Sequence, residues 1–252
     1  MNKNKQIKFG FILILCIVLG FFIGSMTATI RKDNNQIESE TTPVPEPDES
    51  GESESPANVL PYQVHYITGW DRCLDQLRVD CDVAFLGDSI TYKSNFFQEF
   101  PDLTICNLGV CSDNIKAMDY RVATLWTIMP EHVFLMIGIN SLRNDTLDEC
   151  IEDYKVLVDD IVGLWDFQLY IMSITPLSKN ESGIDNPAPD IIVSFNEAIS
   201  EIAKEKGAIY VDLYSQVVDD SGYIKDVYTK DGLHLSDAAY EVWANMIRPY
   251  IY

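Results

Sequence analysis

The chain has 252 residues, 47% of them hydrophobic, and carries 39 acidic against 18 basic side chains for a formal charge of −21. Length leaves one large domain or two small ones open. No basic stripe offsets the acidity, so nucleic acid and anionic lipid head groups are excluded as electrostatic partners of the globular part.

Residues 1–8 hold Lys3, Lys5 and Lys8 and no acid, and the run from Phe9 to Ile30, FGFILILCIVLGFFIGSMTATI, holds no charge at all. As a helix rising roughly 1.5 Å per residue, these about 22 residues would measure about 33 Å, enough to cross a hydrocarbon core of about 30 Å. A cleaved signal peptide is the rival, but its apolar region is shorter, and a cut after Ala28 would place Met26 where a small residue is wanted. Leu15 before Cys16 argues against a lipoprotein signal in the same way. The expectation is an uncleaved transmembrane anchor over residues 9–30. Three lysines and the terminal amine precede the span and only Arg31 and Lys32 follow it closely, which puts residues 1–8 inside and the rest outside the cell. Secretion after signal cleavage is the alternative.

Residues 31–60 follow as a linker. The stretch DNNQIESETTPVPEPDESGESESPAN, from Asp33 to Asn58, is rich in Glu, Ser and Pro and has neither an aromatic nor a base. It cannot bury enough apolar surface to fold, and a disordered tether of this length has an r.m.s. reach of about 30 Å. Residues 61–252 remain for one domain with an ample core. Of the six cysteines, Cys16 lies in the apolar span, leaving Cys73, Cys81, Cys106, Cys111 and Cys150. Their spacing fits no zinc pattern, so neither metal nor cofactor is expected. A bridge such as Cys73 to Cys81 or Cys106 to Cys111 stays open beside the alternative of buried free thiols.

Short apolar runs begin at Val83, Leu103, Val133, Leu169 and Ala208. None alternates cleanly, which suits strands buried on both faces of a parallel sheet. Between them, Leu147, Cys150, Ile151, Tyr154, Leu157, Val158, Ile161, Val162 and Trp165 mark one face of a helix. A second helix is predicted from about Asp190 to Lys206 with Ile191, Phe195, Ile199 and Ile202 inward, and a last one after Ser236, whose hydroxyl can cap it. Strand and helix in alternation predict an α/β fold of three α/β/α layers, with five mostly parallel strands in the middle.

In such sheets ligands bind beyond the carboxyl ends of the strands. There the sequence places Gly87-Asp88-Ser89, Asn107-Leu108-Gly109, Gly138-Ile139-Asn140 and, after the fourth run, the loop from Pro176 to Asp190. A serine hydroxyl needs a base to become a nucleophile, and the usual base is a histidine held by a carboxylate. His65 has no acid at useful spacing, and His132 opens the third strand, away from the rim. His234 in DGLHLS has Asp231 three residues before it, close enough to hold Nδ1 while Nε2 faces outward. Each fragment alone is weak; their order along one rim joins them. Asp88 reads as a turn residue.

FLGDSIT, NLGV, GIN and DGLHLS, in that order from Tyr62 to Tyr252, resemble the blocks of the SGNH hydrolases, also called GDSL-type lipases and esterases. Ile90 stands where the name-giving leucine does, and Ser141 follows Asn140 where the family often has an aspartate. The resemblance implies a flavodoxin-like fold with Ser89 as nucleophile, His234 as base and Asp231 as its orienting partner. It also implies an oxyanion hole from the Ser89 and Gly109 backbone N–H groups and the Asn140 side-chain amide. The expected activity is hydrolysis of short-chain esters, with O-acetyl groups of a cell-surface or environmental polysaccharide as substrate. A lipase or lysophospholipase, a carbohydrate O-acetyltransferase and a non-catalytic surface binding module are the alternatives.

Overall fold

The computed structural model describes residues 81–180 and 186–252. The expected membrane span, the linker, His65 and Cys73 lie outside the described residues. Five strands follow one another as β1 (Val83–Gly87), β2 (Ile105–Gly109), β3 (His132–Met136), β4 (Gln168–Met172) and β5 (Ile209–Val211). They form one sheet in the order β2-β1-β3-β4-β5, every pairing parallel. The order reverses between β1 and β3, so a crevice opens beyond their carboxyl ends. β2 starts two residues later than the apolar run, because Leu103 is spent on a turn in which its N–H donates to the Phe100 carbonyl.

The helices among the described residues are α1 (Ser89–Tyr92), α2 (Phe96–Glu99), α3 (Ile115–Asp119), α4 (Leu125–Ile128), α5 (Leu147–Val162), α6 (Pro189–Lys206), α7 (Tyr214–Val217) and α8 (Asp237–Ile251). Successive strand residues feed two cores. Ala84, Leu86, Leu135 and Ile171 pack with residues of α5 and α6 on one face, and Val83, Phe85, Phe134 and Met172 pack with α8 on the other. Burial on both faces is why the strand runs are unbroken rather than alternating.

Thr146 and Glu149 form a capping box that starts α5, whose buried stripe is Cys150, Tyr154, Leu157, Val158 and Ile161. Val162 falls off that stripe and is 37% exposed, where the helix ends. In α6 the inward face holds Phe195, Ile199 and Ile202 as expected, but Ile192 rather than Ile191 leads it. The rotation brings Asn196 into the core, where its amide bonds the Ile174 N–H and carbonyl at 2.9 and 3.0 Å. That side chain satisfies backbone just past β4 that the sheet leaves unpaired. Ser236 Oγ caps α8 by accepting from the Ala239 N–H at 3.3 Å. Cys106 and Cys111 do not form a disulfide, and Cys81 and Cys150 are in none either.

Polar side chains buried at the carboxyl end of the sheet fix the turn after β1. Asn107 donates to the Thr91 carbonyl at 2.8 Å and to Ser94 Oγ at 3.1 Å, tying α1 down onto β2. Gly109 permits that approach, because a Cβ there would collide with the Tyr92 backbone. Arg121 is fully buried. It donates to Asp113 Oδ2 at 2.7 Å, to the Leu108 carbonyl at 2.8 Å and to the Gly87 carbonyl at 3.1 Å, joining the ends of β1 and β2 to the loop after β2. Asp88 is buried as well and accepts from the Ile90 N–H at 2.9 Å, capping α1. Desolvation pushes its carboxyl up to about 7; the Ile90 N–H and the Arg143 charge oppose the rise, and Asp113 adds to it.

Removing one member of a buried pair strands the other charge in the interior, at a cost of about 3–5 kcal/mol. Arg121→Leu is therefore expected to lower stability by about that amount in a denaturant titration, and a loss below 1 kcal/mol would contradict the clamp. For Asp88 the pH window follows from its raised value. Between the ordinary carboxyl value of 3.8 and about 7, the folded state holds a proton that the unfolded chain has released. Stability from this group therefore falls as the pH rises through that window. Asp88→Asn keeps a capping oxygen and removes the ionisation, so its stability relative to the parent should climb between pH 4 and 8. A difference that does not vary with pH would refute this.

Candidate active site

Ser89 is the first residue of α1, two positions past the end of β1, and is half-buried at the rim. The residue meeting it comes from far down the chain: His234 Nε2 lies 3.0 Å from Ser89 Oγ, across 145 positions of sequence. His234 Nδ1 lies 2.6 Å from Asp231 Oδ2. The two contacts together decide the imidazole tautomer. Burial works to raise the Asp231 carboxyl, but hydrogen bonds from the His234 N–H and ring and from the Leu233 N–H outweigh it and hold the carboxyl down at about 2. An ionised carboxylate can only accept, so Nδ1 carries a proton and donates it to Asp231, which turns Nε2 toward the serine hydroxyl.

The D-x-x-H spacing works because the segment is tightly wound. Asp231 Oδ1 accepts from the Leu233 N–H at 3.1 Å and the His234 N–H at 2.7 Å, so one carboxylate shapes the turn and holds the ring. Thr229 Oγ1 donates to the His234 carbonyl at 3.0 Å and accepts from the Gly232 N–H at 2.8 Å. Further anchors come from α8, where Tyr240 donates to the Ile90 carbonyl at 2.7 Å, and from the loop after β4, where the Ser178 N–H donates to the Gly232 carbonyl at 2.8 Å. The serine turn is thus bonded to α8 and the histidine turn to the loop after β4.

The three groups expected to form an oxyanion hole differ in what they already bond. The Ser89 N–H opens a helix and has no acceptor within it. Asn140, beyond β3, spends one amide hydrogen on the Asp113 carbonyl at 2.8 Å and keeps the other. The Gly109 N–H donates to Asn107 Oδ1 at 3.0 Å in the buried end of β2, and the missing Cβ lets α1 pack closely there. Ser141 takes up a bond at the position where the family often has an aspartate: its Oγ accepts from the Ile115 N–H at 3.0 Å, fixing the start of α3. His132 sits at the opposite end of β3, its ring 3.1 Å from the Tyr170 hydroxyl. A cavity of about 500 Å³ lined by Trp165, Phe167 and Lys206 also lies at that far end and plays no part in the site.

Sequence reasoning missed Asn107, Asp113, Arg121, Arg143 and Tyr240. A lone arginine among the apolar residues of Leu108 to Leu125 was the available signal for a buried clamp. The others look like ordinary surface polar residues until the fold brings them together.

The chain matches the model of the GDSL-like Lipase/Acylhydrolase family over residues 85–242. A search of the curated proteins found no match. Among solved structures, the chain is similar to a GDSL-like lipase from Bacteroides thetaiotaomicron at 17% identity and a TM-score of 0.62, covering 74% of this chain and 98% of that one. A member of the lipolytic G-D-S-L family from Veillonella parvula aligns at 17% identity and a TM-score of 0.53, covering 67% and 96%. An acetyl xylan esterase from Geobacillus stearothermophilus aligns at 19% identity and a TM-score of 0.53, covering 68% and 94%. These likenesses carry the fold, and the family match over more than half the length carries the class of chemistry. The chain belongs to the GDSL-like lipase/acylhydrolase family and is a serine ester hydrolase.

Proposed function

We propose that Ser89, His234 and Asp231 act as a nucleophile, base and orienting carboxylate in the hydrolysis of short-chain esters, acetyl esters of a carbohydrate foremost. The observation that carries this reading is the unbroken relay from Ser89 Oγ to His234 Nε2 and from Nδ1 to Asp231 Oδ2. Ser89 Oγ attacks the ester carbonyl as its proton passes to Nε2. The Ser89 N–H and the free Asn140 amide hydrogen meet the charge that gathers on the carbonyl oxygen. The imidazolium then gives its proton to the leaving alcohol, and water, deprotonated by the same nitrogen, releases the acyl group from Ser89.

Acetyl carbohydrate is favoured over a long acyl chain by how open the site is. The Asp231 side chain is 51% exposed and that of His234 17%, so the relay sits at the surface, where an ester on a polymer can reach it. The loop after β4, PLSKNESGIDNPAPD, offers few large apolar side chains for an acyl tunnel. An acetyl xylan esterase among similar folds fits the same substrate class. The charge-free run over residues 9–30 and the acidic tether after it support placing the domain outside a cell membrane, where polysaccharide is available.

Ser89→Ala is expected to abolish hydrolysis of p-nitrophenyl acetate while the circular dichroism spectrum and melting curve stay those of the parent; parent-level turnover would refute the nucleophile. Asp231→Asn should slow the reaction by up to about 10⁴-fold, through the wrong tautomer rather than lost fold. An effect under about tenfold would leave Asp231 only its role in the turn. Between nitrophenyl acetate and octanoate, a higher kcat/KM for octanoate would overturn the short-chain assignment.

A further inference from the structure

The relay deals with the ester carbonyl and leaves the remainder of the substrate unassigned. Arg143 follows Asn140 by three residues in a run of turns closed by the Gly138 carbonyl, which accepts from Ser141 and Leu142, and by the Ser141 carbonyl, which accepts from Asn144 and Asp145. Its backbone is therefore fixed to the same strand end as the oxyanion amide. Its Nε donates to Asn186 Oδ1 at 2.7 Å, and Asn186 belongs to the connection after β4 whose start, at Ser178, is bonded to Gly232 beside Asp231. The Arg143 charge also reaches Asp88, the neighbour of Ser89. The guanidinium thus links the turn that carries Asn140 to the connection after β4, and its charge acts on the carboxyl beside Ser89.

Among the described residues Arg143 lacks what Arg121 and Arg248 have. Of the three in the described residues, Arg121 pairs with Asp113 and Arg248 with Glu99. No carboxylate among the described residues lies within ion-pair distance of Arg143, in a chain with 39 acidic against 18 basic residues. Its Nε is held by a neutral amide oxygen, which fixes the plane of the fork and leaves the two terminal nitrogens as parallel donors. That edge matches an anion with two oxygens, and the half-buried setting limits screening by salt.

Building on the esterase reading above, we infer that Arg143 is a substrate subsite for a two-oxygen anion on the alcohol portion of the ester, a carboxylate as in an acetylated uronate or a phosphate as in an acetylated sugar phosphate. An acetyl group has no charge of its own, so the anion belongs to the leaving alcohol. The substrate class narrows accordingly from acetylated carbohydrate to acetylated acidic carbohydrate.

The test compares kcat/KM of the full chain on the acetyl esters of methyl glucoside, methyl glucuronide and glucose 6-phosphate, with p-nitrophenyl acetate as the uncharged reference. At least one charged ester should exceed the glucoside by about tenfold or more, the gain lying mainly in KM, and the better of the two identifies the anion. In Arg143→Gln that ratio should collapse toward one, and Arg143→Lys, a point charge without the fork, should keep only part of it. Equal values for charged and neutral sugars, or a preference undiminished in Arg143→Gln, overturns the subsite while leaving ester hydrolysis standing. Failure to cleave p-nitrophenyl acetate overturns the esterase reading itself, and the subsite with it.

Discussion

The 3.0 Å contact between Ser89 Oγ and His234 Nε2 is the interaction on which everything else in the molecule turns. It joins the end of the first strand to a turn just before the last helix, and no local preference of either segment could produce it. The parallel sheet makes it possible by sending β1 out of the fold at one rim and bringing the chain back to that rim before α8. The remaining bonds then act as a jig. Tyr240 reaches from α8 to the Ile90 carbonyl, and Asp231 winds the histidine turn with the same carboxylate that orients the ring. Held in this way, the imidazole already faces the hydroxyl through Nε2, so the cost of alignment is met during folding.

A second feature is the concentration of buried polar groups at one end of an otherwise apolar sheet. Arg121, Asp113, Asn107, Ser141 and Asn196 each satisfy backbone or one another where strands pass into loops. Buried ion pairs give uncertain net stability, because desolvation offsets attraction. Their effect here is placement. Arg121 fixes the Gly87 and Leu108 carbonyls, and the backbone of its partner Asp113 accepts from Asn140, so one guanidinium bears on both the serine turn and the Asn140 amide. Gly109 belongs to the same scheme, since its missing side chain lets α1 lie against β2.

The parts of this arrangement that follow periodicity were legible beforehand. Unbroken apolar runs announced strands covered on both faces, and the α5 stripe from Cys150 to Ile161 came out at helical spacing. Ser89, Asp231 and His234, picked from separate fragments, meet in one chain of contacts at 3.0 and 2.6 Å. A glycine beside a strand end has two uses, donor and spacer, and the bond from the Gly109 N–H to the Asn107 side chain was not legible in the sequence. Ile191 and Ile192 could not be separated by pattern, since either starts an apolar face and the buried Asn196 fixes the phase. Arg121 and Arg143 look alike in sequence. Burial against Asp113 makes one a clamp, while the other pairs with no carboxylate among the described residues and is held by the Asn186 amide.

The account rests on Ser89 being activated by His234, and peptide mapping after reaction of the folded chain with a fluorophosphonate tests that most directly. The expected result is a single adduct on Ser89, formed at least about 10²-fold more slowly in His234→Ala. A folded protein that forms no adduct, or forms it elsewhere, or labels Ser89 equally fast without the imidazole, would contradict it.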